Sequence, residues 1–412
     1  MFVLEAKLRG STKQFALIDE MIRTAGFVRN SCIRHWMDNR GVGQYDLSAL
    51  CAVLALRYEW AKKLNSMARQ ASAERAWAAI KRFYDNCKST AIKKKGYPKF
   101  KRSRSVEYKT TGYKLSEDRQ SITFTDGFKA GTFRMIGALD LNYYQLEQIK
   151  RVRVVRRADG YYIQFCIKHD RFEAVEPTEQ VTALDVGVTH FYTDNRGNKV
   201  ENPRHLRKSE KALKRLQRRV SRKKKGSNKR KKAINKLGRK HLKVQRQRKD
   251  FAVKLARCVV KSSDLVVFED LKVRNMVSQR VGRVSRLEAT GEPVRVKNHR
   301  LAKSINDAAW RQFFEWLEYY GQVFGKIVIA VPPQYTSQEC SFCHKIVKKS
   351  LSQRTHVCEC GCILDRDENA SRNLLAKGLK IISRGGHSRT NNAQGHLNLC
   401  QISESLLDKF GG

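Results

Sequence analysis

Acidic residues are scarce in this 412-residue chain: 39 Asp and Glu stand against 84 Lys and Arg, a formal net charge of +45. So one-sided a balance excludes an ordinary metabolic enzyme of this length and points to a polyanionic partner. Long apolar runs are missing too. No stretch of about 18 apolar residues occurs, so nothing reads as a membrane span. The opening MFVLEAKLRGSTKQ lacks a basic start, an apolar core and a small-residue cleavage site, which makes a cytoplasmic location the expectation. No internal repeat is visible. What the chain does have is enough apolar material to fold, 41% hydrophobic residues, too many for a wholly disordered basic tail. Two to three compact units are expected, because single cores stop growing at roughly 250 to 300 residues.

The first eight residues read as a strand, and Phe15, Ile18, Ile22, Phe27 and Val28 then follow a helical spacing. Two more helical stretches run from Leu47 to about Cys87, with Trp60, Trp77, Ile80, Phe83 and Tyr84 as candidate core positions. A basic, aromatic-interleaved loop, Lys93 to Lys101, cannot continue a helix through Pro98. Strands are expected at 121–125, 132–135, 150–157 and 161–168, the last two forming a hairpin across Ala158-Asp159-Gly160. Residues 1–178 therefore read as a β-barrel or open sheet with a helical insertion at about 12–90. Strands are expected again at 181–188, 190–194, 264–271 and 326–331, with an amphipathic helix at 304–320 and a loop at 280–297. Between Arg204 and Lys249 half the residues are Lys or Arg, with a thin apolar stripe of Leu206, Leu213, Leu216, Val220, Ile234, Leu237, Leu242 and Val244. That pattern predicts a helical hairpin with cationic faces, broken near Gly226-Ser227-Asn228. Beyond about Gly378 the chain reads as a flexible tail, 377–412.

Three acids occupy unusual settings. Asp185 lies in VTALDVGV and Glu269 in LVVFEDL, runs that read as strands of a sheet covered on both faces, where an unpaired carboxylate is costly. Asp367 lies in LDRDENASRNLL, where a helix starts and an acidic residue is also plainly explained by the helix dipole. Two strand-borne carboxylates and one at a helix start, in so basic a chain, are what a two-metal nuclease requires. Two Mg²⁺ ions about 3.5 to 4 Å apart neutralise the phosphate, activate the attacking water and stabilise the leaving oxygen. Mg²⁺ accepts a few carboxylates plus water and phosphate, and Mn²⁺ can substitute.

Of 11 cysteines, Cys340, Cys343, Cys358, Cys360 and Cys362 share one short window, and the others are scattered singly. Cys340-x-x-Cys343 and Cys358-x-Cys360 have the layout of a zinc ribbon, two knuckles bringing four thiolates to one structural Zn²⁺. The second knuckle is tighter than usual, which leaves Cys362 or His356 open as replacements for Cys360 or Cys358.

The order ALDVGV, basic helices, VVFEDL, PPQYTSQECSFC, CECG and LDRDENASRNLL resembles the C-terminal half of TnpB, a family of insertion-sequence proteins that act as RNA-guided DNA endonucleases. Phe27-Val28-Arg29-Asn30 and Gly96-Tyr97-Pro98-Lys99-Phe100-Lys101 resemble its N-terminal signatures. The resemblance implies an α/β multidomain protein: an RNase H-like RuvC nuclease domain at 179–376, containing the basic hairpin (204–262) and an inserted zinc ribbon (336–363), behind an OB-type β-barrel with a helical recognition lobe. It implies Asp185, Glu269 and Asp367 as the catalytic, Mg²⁺-binding acids, with Asp365 and Asp270 outside the site. The implied partners are a guide RNA derived from the element end and double-stranded target DNA cut beside a short adjacent motif, one protein copy per RNA, in a bacterial or archaeal cytoplasm close to the nucleoid. Base pairing reads the target in such a system, so the protein needs mostly backbone contacts, and its charge suits them. Two competing functions are a guide-directed DNA-binding protein that does not cut and a carboxylate-dependent transposase or recombinase. The retained acids argue against the first, and the absence of a separate helix-turn-helix unit argues against the second.

Overall fold

A computed structural model describes residues 1–92, 95–137, 140–278, 284–287, 293–295, 299–350 and 352–384. The chain divides into two compact units, Met1–Asp170 and Arg171–Gly412. The division falls before the expected 178 because the intervening backbone is bonded into the second unit. Glu173 N–H donates to the Val323 carbonyl, and Thr178 N–H donates to the Asp264 carboxylate.

The first unit starts with β1 (Phe2–Arg9), followed by four helices: α1 (Thr12–Asp38), α2 (Gln44–Arg57), α3 (Glu59–Lys62) and α4 (Ser66–Lys88). Six strands follow, β2 (Ser105–Tyr108), β3 (Tyr113–Leu115), β4 (Ser121–Phe124), β5 (Thr132–Ile136), β6 (Ile149–Arg157) and β7 (Gly160–Ile167). They form one antiparallel sheet in the order β2-β6-β7-β1-β5-β4-β3. No ladder joins β2 to β3 among the described residues, so the sheet is open at both edges. Ser11 and Gln14 form a capping box that starts α1. The helix then buries Ile18, Met21, Ile22 and Ala25 in the sheet's core and Val28, Cys32 and Ile33 against α2 and α4. Trp60 and Tyr84 are not core residues: they are 44% and 43% exposed, and only Ile80 of the five expected positions is fully buried.

The second unit contains β8 (Val181–Val186), β9 (His190–Asp194), β10 (Lys199–Glu201), α5 (His205–Ser221), α6 (Asn228–Lys261), β11 (Leu265–Glu269) and α7 (Val273–Ser278). Then come β12 (Val284–Leu287), β13 (Pro293–Arg295), α8 (His299–Ala308), α9 (Trp310–Phe324), β14 (Ile327–Val331), β15 (Thr355–Val357), β16 (Ile363–Asp365) and α10 (Arg366–Ser383). The pair β12 and β13 lies inside the expected loop 280–297, the rest of which is outside the described residues. A five-stranded sheet has the order β10-β9-β8-β11-β14, with β8, β11 and β14 parallel and β9 antiparallel to β8. Both faces are covered, which is why β11 reads as an unbroken apolar run. Val266 and Phe268 face α6 and α9, whereas Leu265 and Val267 join Val181, Ala183, Ile329 and Leu374 under α10. The cationic hairpin is α5 and α6, turned through Gly226 at φ +84° and restarted by Ser227, which accepts from Arg230 N–H. Leu213, Val220, Leu242 and Val244 are buried along its seam. No described helix is long and apolar enough to cross a membrane.

The tail does not begin at 377. Helix α10 runs on to Ser383, and Gly378, which reads as a helix stop, is there because the helix lies against β11: an added Cβ would come within 2.5 Å of Val267 Cγ2. Residues 385–412 are outside the described residues. An exposed helical Gly→Ala change gains up to about 1 kcal/mol. Gly378→Ala should instead destabilise the chain by about 1 to 3 kcal/mol through overpacking, read as a lowered denaturant midpoint.

Candidate functional site

Strand period fixes where the first two acids point. Positions 181, 183 and 185 share one face of β8, and 265, 267 and 269 share one face of β11. Since Val181, Ala183, Leu265 and Val267 lie under α10, Asp185 and Glu269 belong to that same face. They follow directly on the paired positions Leu184 and Phe268, at the C-terminal ends of two neighbouring parallel strands. Such ends are where open α/β sheets place ligands.

Asp367 comes from the helix that covers this face. Asp365 ends β16 and caps α10, its carboxylate accepting from Asp367 N–H at 2.9 Å and pairing with Lys199 at 2.7 Å. Asp367 is therefore in the first turn, beside Arg366 (3.4 Å) and Arg354 (3.9 Å). One turn on, the Ser371 hydroxyl donates to the Thr193 carbonyl at 2.7 Å, and Thr193 is the register partner of Asp185. The start of α10 is thus pinned beside Asp185.

The charges of the other two acids reach Asp185. Burial pushes the Asp185 carboxyl well above the usual carboxylate range, the charges of Glu269 and Asp367 raise it further, and Arg366 opposes them. Burial also raises Glu269, against a hydrogen bond from the Thr336 hydroxyl (2.9 Å) and the field of Lys377. Glu269 is 8% exposed. Carboxylate oxygens at the ends of neighbouring strands are hard donors of the kind that suits Mg²⁺ or Mn²⁺. Asp270, by contrast, follows the strand end and is exposed.

The cysteines assemble as a second cluster. Sulfur atoms of Cys340, Cys343, Cys358 and Cys360 all lie within 4.8 Å of one another, with Cys340–Cys360 at 3.7 Å and Cys343–Cys358 at 3.5 Å. Four thiolates at about 2.3 Å from a zinc ion would be spaced about 3.8 Å apart, so the donor set and its spacing fit that metal. Burial would raise the Cys340 thiol, but backbone N–H groups of Cys343 and Phe342 bring it down to about 5. Cys340 also belongs to a second group, with His356 and Cys362. His356 is fully buried and its Nδ1 contacts Lys349. Sequence reasoning did not single out Thr336, Asn369 or Asn373, whose bonds reach residues far away in the chain.

A carboxyl whose folded pKa lies above its unfolded value of about 3.9 contributes its full stability only below that value, and the contribution is lost as pH rises through the folded pKa. Asp185 is such a group. Asp185→Asn should therefore melt several degrees above the parent chain in divalent-free buffer at pH 8, with the gap closing towards pH 4. A gap that does not change with pH would remove the electrostatic cause.

Residues 164–280 match the model of the family described as probable transposase, OrfB of IS605, and residues 310–374 match the Cas12f1-like TNB domain. "Putative RNA-guided DNA endonuclease InsQ" of Escherichia coli K12 is 31% identical over 380 residues, covering 89% of this chain and 90% of InsQ. The TnpB-like protein L79 of Acanthamoeba polyphaga mimivirus is 28% identical over 145 residues, 35% of this chain and 25% of L79. The cryo-EM structure of a Cas12f1-sgRNA-target DNA complex superposes with a TM-score of 0.51 at 13% identity, over 88% of this chain and 82% of the Cas12f1 chain. At that identity the likeness speaks for the fold alone. The match to InsQ along nearly the whole chain, together with the two family models laid over the segments that carry Glu269 and Asp367, makes the chain a member of the TnpB family.

Proposed function

We propose that this protein is an RNA-guided DNA endonuclease that hydrolyses target DNA with two divalent ions held by Asp185, Glu269 and Asp367. The observation that carries the reading is placement: Asp185 and Glu269 end two neighbouring parallel strands on the face covered by α10, and Ser371 fastens the start of α10, which carries Asp367, to the register partner of Asp185. The order β10-β9-β8-β11-β14, with β9 reversed, supports an RNase H-like RuvC domain from about 179 to 376. The seven-stranded sheet, open at both edges among the described residues, stands with its helical layer where the OB-type barrel and recognition lobe are expected. InsQ, by its name, acts on DNA under RNA guidance. The formal charge of +45 and the cationic helices α5 and α6 give this chain the phosphate-neutralising surface such partners need.

Within that reading the residues divide the work. Asp185 and Glu269 present oxygens from a rigid sheet, and Asp367 closes the group from the helix start. Bound there, a pair of Mg²⁺ or Mn²⁺ ions supplies charge neutralisation, a water of lowered pKa and a stabilised leaving oxygen. The two arginines beside Asp367 keep positive charge where a phosphate would enter. Zn²⁺ on Cys340, Cys343, Cys358 and Cys360 is scaffold, because four protein ligands close its coordination.

Asp185→Ala should lower guided plasmid cleavage at least a thousandfold, on the order of the loss from removing a key catalytic group, and leave the co-purified RNA in place. Retained cutting would take Asp185 out of the site. Cys343→Ser should remove the zinc from the chain, whereas Cys362→Ser should keep one zinc per chain by mass spectrometry. Loss of zinc in both would shift the ligand set towards Cys362.

A further inference from the structure

We infer that Thr336, Asn369 and Asn373 are positioning residues that hold the proposed nuclease carboxylates in place and mechanically join them to the cysteine ribbon. The inference rests on the nuclease reading and goes beyond it.

Residues 336–341 connect the two clusters. At one end of this segment the Thr336 hydroxyl reaches Glu269 Oε1 at 2.9 Å, and at the other end stands Cys340. That hydroxyl has one hydrogen and two acceptors in reach, the second being the Pro333 carbonyl at 3.1 Å. The bond to Glu269 is the shorter of the two, and it limits the rotation of that carboxylate.

Helix α10 grips the same segment from above. Asn373 Nδ2 donates to the carbonyls of Thr336 (2.9 Å) and Glu339 (2.7 Å). Asn369 Nδ2 donates to the Glu339 carbonyl at 2.7 Å, and its Oδ1 accepts from Ser341 N–H at 2.9 Å. Asn369 and Asn373 stand four residues apart, so both sit on one side of the helix that begins with Asp367. Thr336, Asn369 and Asn373 are 4%, 0% and 3% exposed. Polar groups so deeply buried are paired in native structures, and a clamp with every bond made admits one arrangement.

The result is a closed mechanical loop. Glu269 is held by Thr336, Thr336 by Asn373, Asn373 belongs to the helix of Asp367, and Asn369 ties that helix to the backbone on either side of Cys340. The ribbon then does more than anchor a surface loop, since its first knuckle sets the height at which α10 and Glu269 meet. Residues that orient metal-binding carboxylates typically change metal affinity ten- to a hundredfold when removed.

The test uses the full chain with its co-purified RNA. Guided cleavage is followed across Mg²⁺ concentrations for the parent chain, Thr336→Val, Thr336→Ser and Asn373→Leu, with zinc content, melting temperature and amide hydrogen exchange of residues 336–341 recorded alongside. Thr336→Val and Asn373→Leu should need about tenfold or more extra Mg²⁺ for half-maximal rate, with zinc content unchanged. Thr336→Ser, which keeps the hydroxyl, should restore the parent curve. A parent-like Mg²⁺ curve for Thr336→Val overturns the inference, and so does a Thr336→Ser variant as impaired as Thr336→Val, because packing of the methyl would then explain the effect. If the parent chain cleaves nothing at any Mg²⁺ concentration, the nuclease reading is what has failed. The clamp is then judged by exchange: faster exchange at 336–341 in Asn373→Leu upholds it, and unchanged exchange overturns it.

Discussion

Carboxylates taken out of water repel one another, and the second unit is arranged around that cost. Asp185 and Glu269 stand at the ends of strands whose other residues on the same face are apolar and buried. Nothing in the packing of Val181, Ala183, Leu265 and Val267 calls for acids at the next position. The same sheet without them would be more stable, since a desolvated like-charge group lowers stability wherever it is ionised. Asp367 stands at the start of the helix that covers the same face, and a cation bound there, as proposed, would offset that cost. The surplus of base elsewhere does not do so: Lys377 and Arg366 moderate the field without removing it.

That burden explains why the surrounding polar groups are so completely bonded. The start of α10 is capped by Asp365, held by Lys199 through the cap, and fastened to β9 through Ser371. Below, Asn369 and Asn373 fasten the helix to the segment that leads into the first cysteine knuckle. Each bond joins elements distant in sequence, so the site's geometry belongs to the whole unit. The opposite end of the sheet has its own buried pair, Lys326 with Asp264 at 2.6 Å, whose carboxylate also receives Thr178 and Glu179. There the charges cancel, which sets this structural ion pair apart from the buried acids at the other end of the sheet.

Much of this was readable before any fold was known, and the reasons are local. An acid inside the run Val-Thr-Ala-Leu or Leu-Val-Val-Phe is conspicuous because buried strands tolerate none without a partner. The long cationic hairpin announced itself by a sparse apolar period, and β6 and β7 by alternation around a Gly turn. Other features were hidden because their cause is tertiary. Gly378 looks like a helix stop, yet its missing side chain is what lets α10 approach Val267. Two acids, Asp365 and Asp367, both suit a helix start; the family motif singles out Asp367, and the structure gives the cap to Asp365. Thr336, Asn369 and Asn373 are ordinary polar residues by composition, and their roles come from bonds spanning 28 to 67 positions. Trp60 and Tyr84 sat on plausible helical spacing but are only partly covered, Trp60 packing on Phe27 and Tyr84 accepting a hydrogen bond from Trp36 at the edge of the helical layer. The short strands β2, β3 and β10 carry too few residues for alternation to register.

The central claim is that the three acids share a pair of metal ions. Crystals of the RNA-bound chain soaked in Mn²⁺ and recorded at the manganese absorption edge measure this directly. The account predicts two anomalous peaks about 3.5 to 4 Å apart, both within bonding reach of oxygens from Asp185, Glu269 and Asp367. A map with no peak at these carboxylates under saturating Mn²⁺, or with the ions bound only by other residues or by RNA, would contradict it.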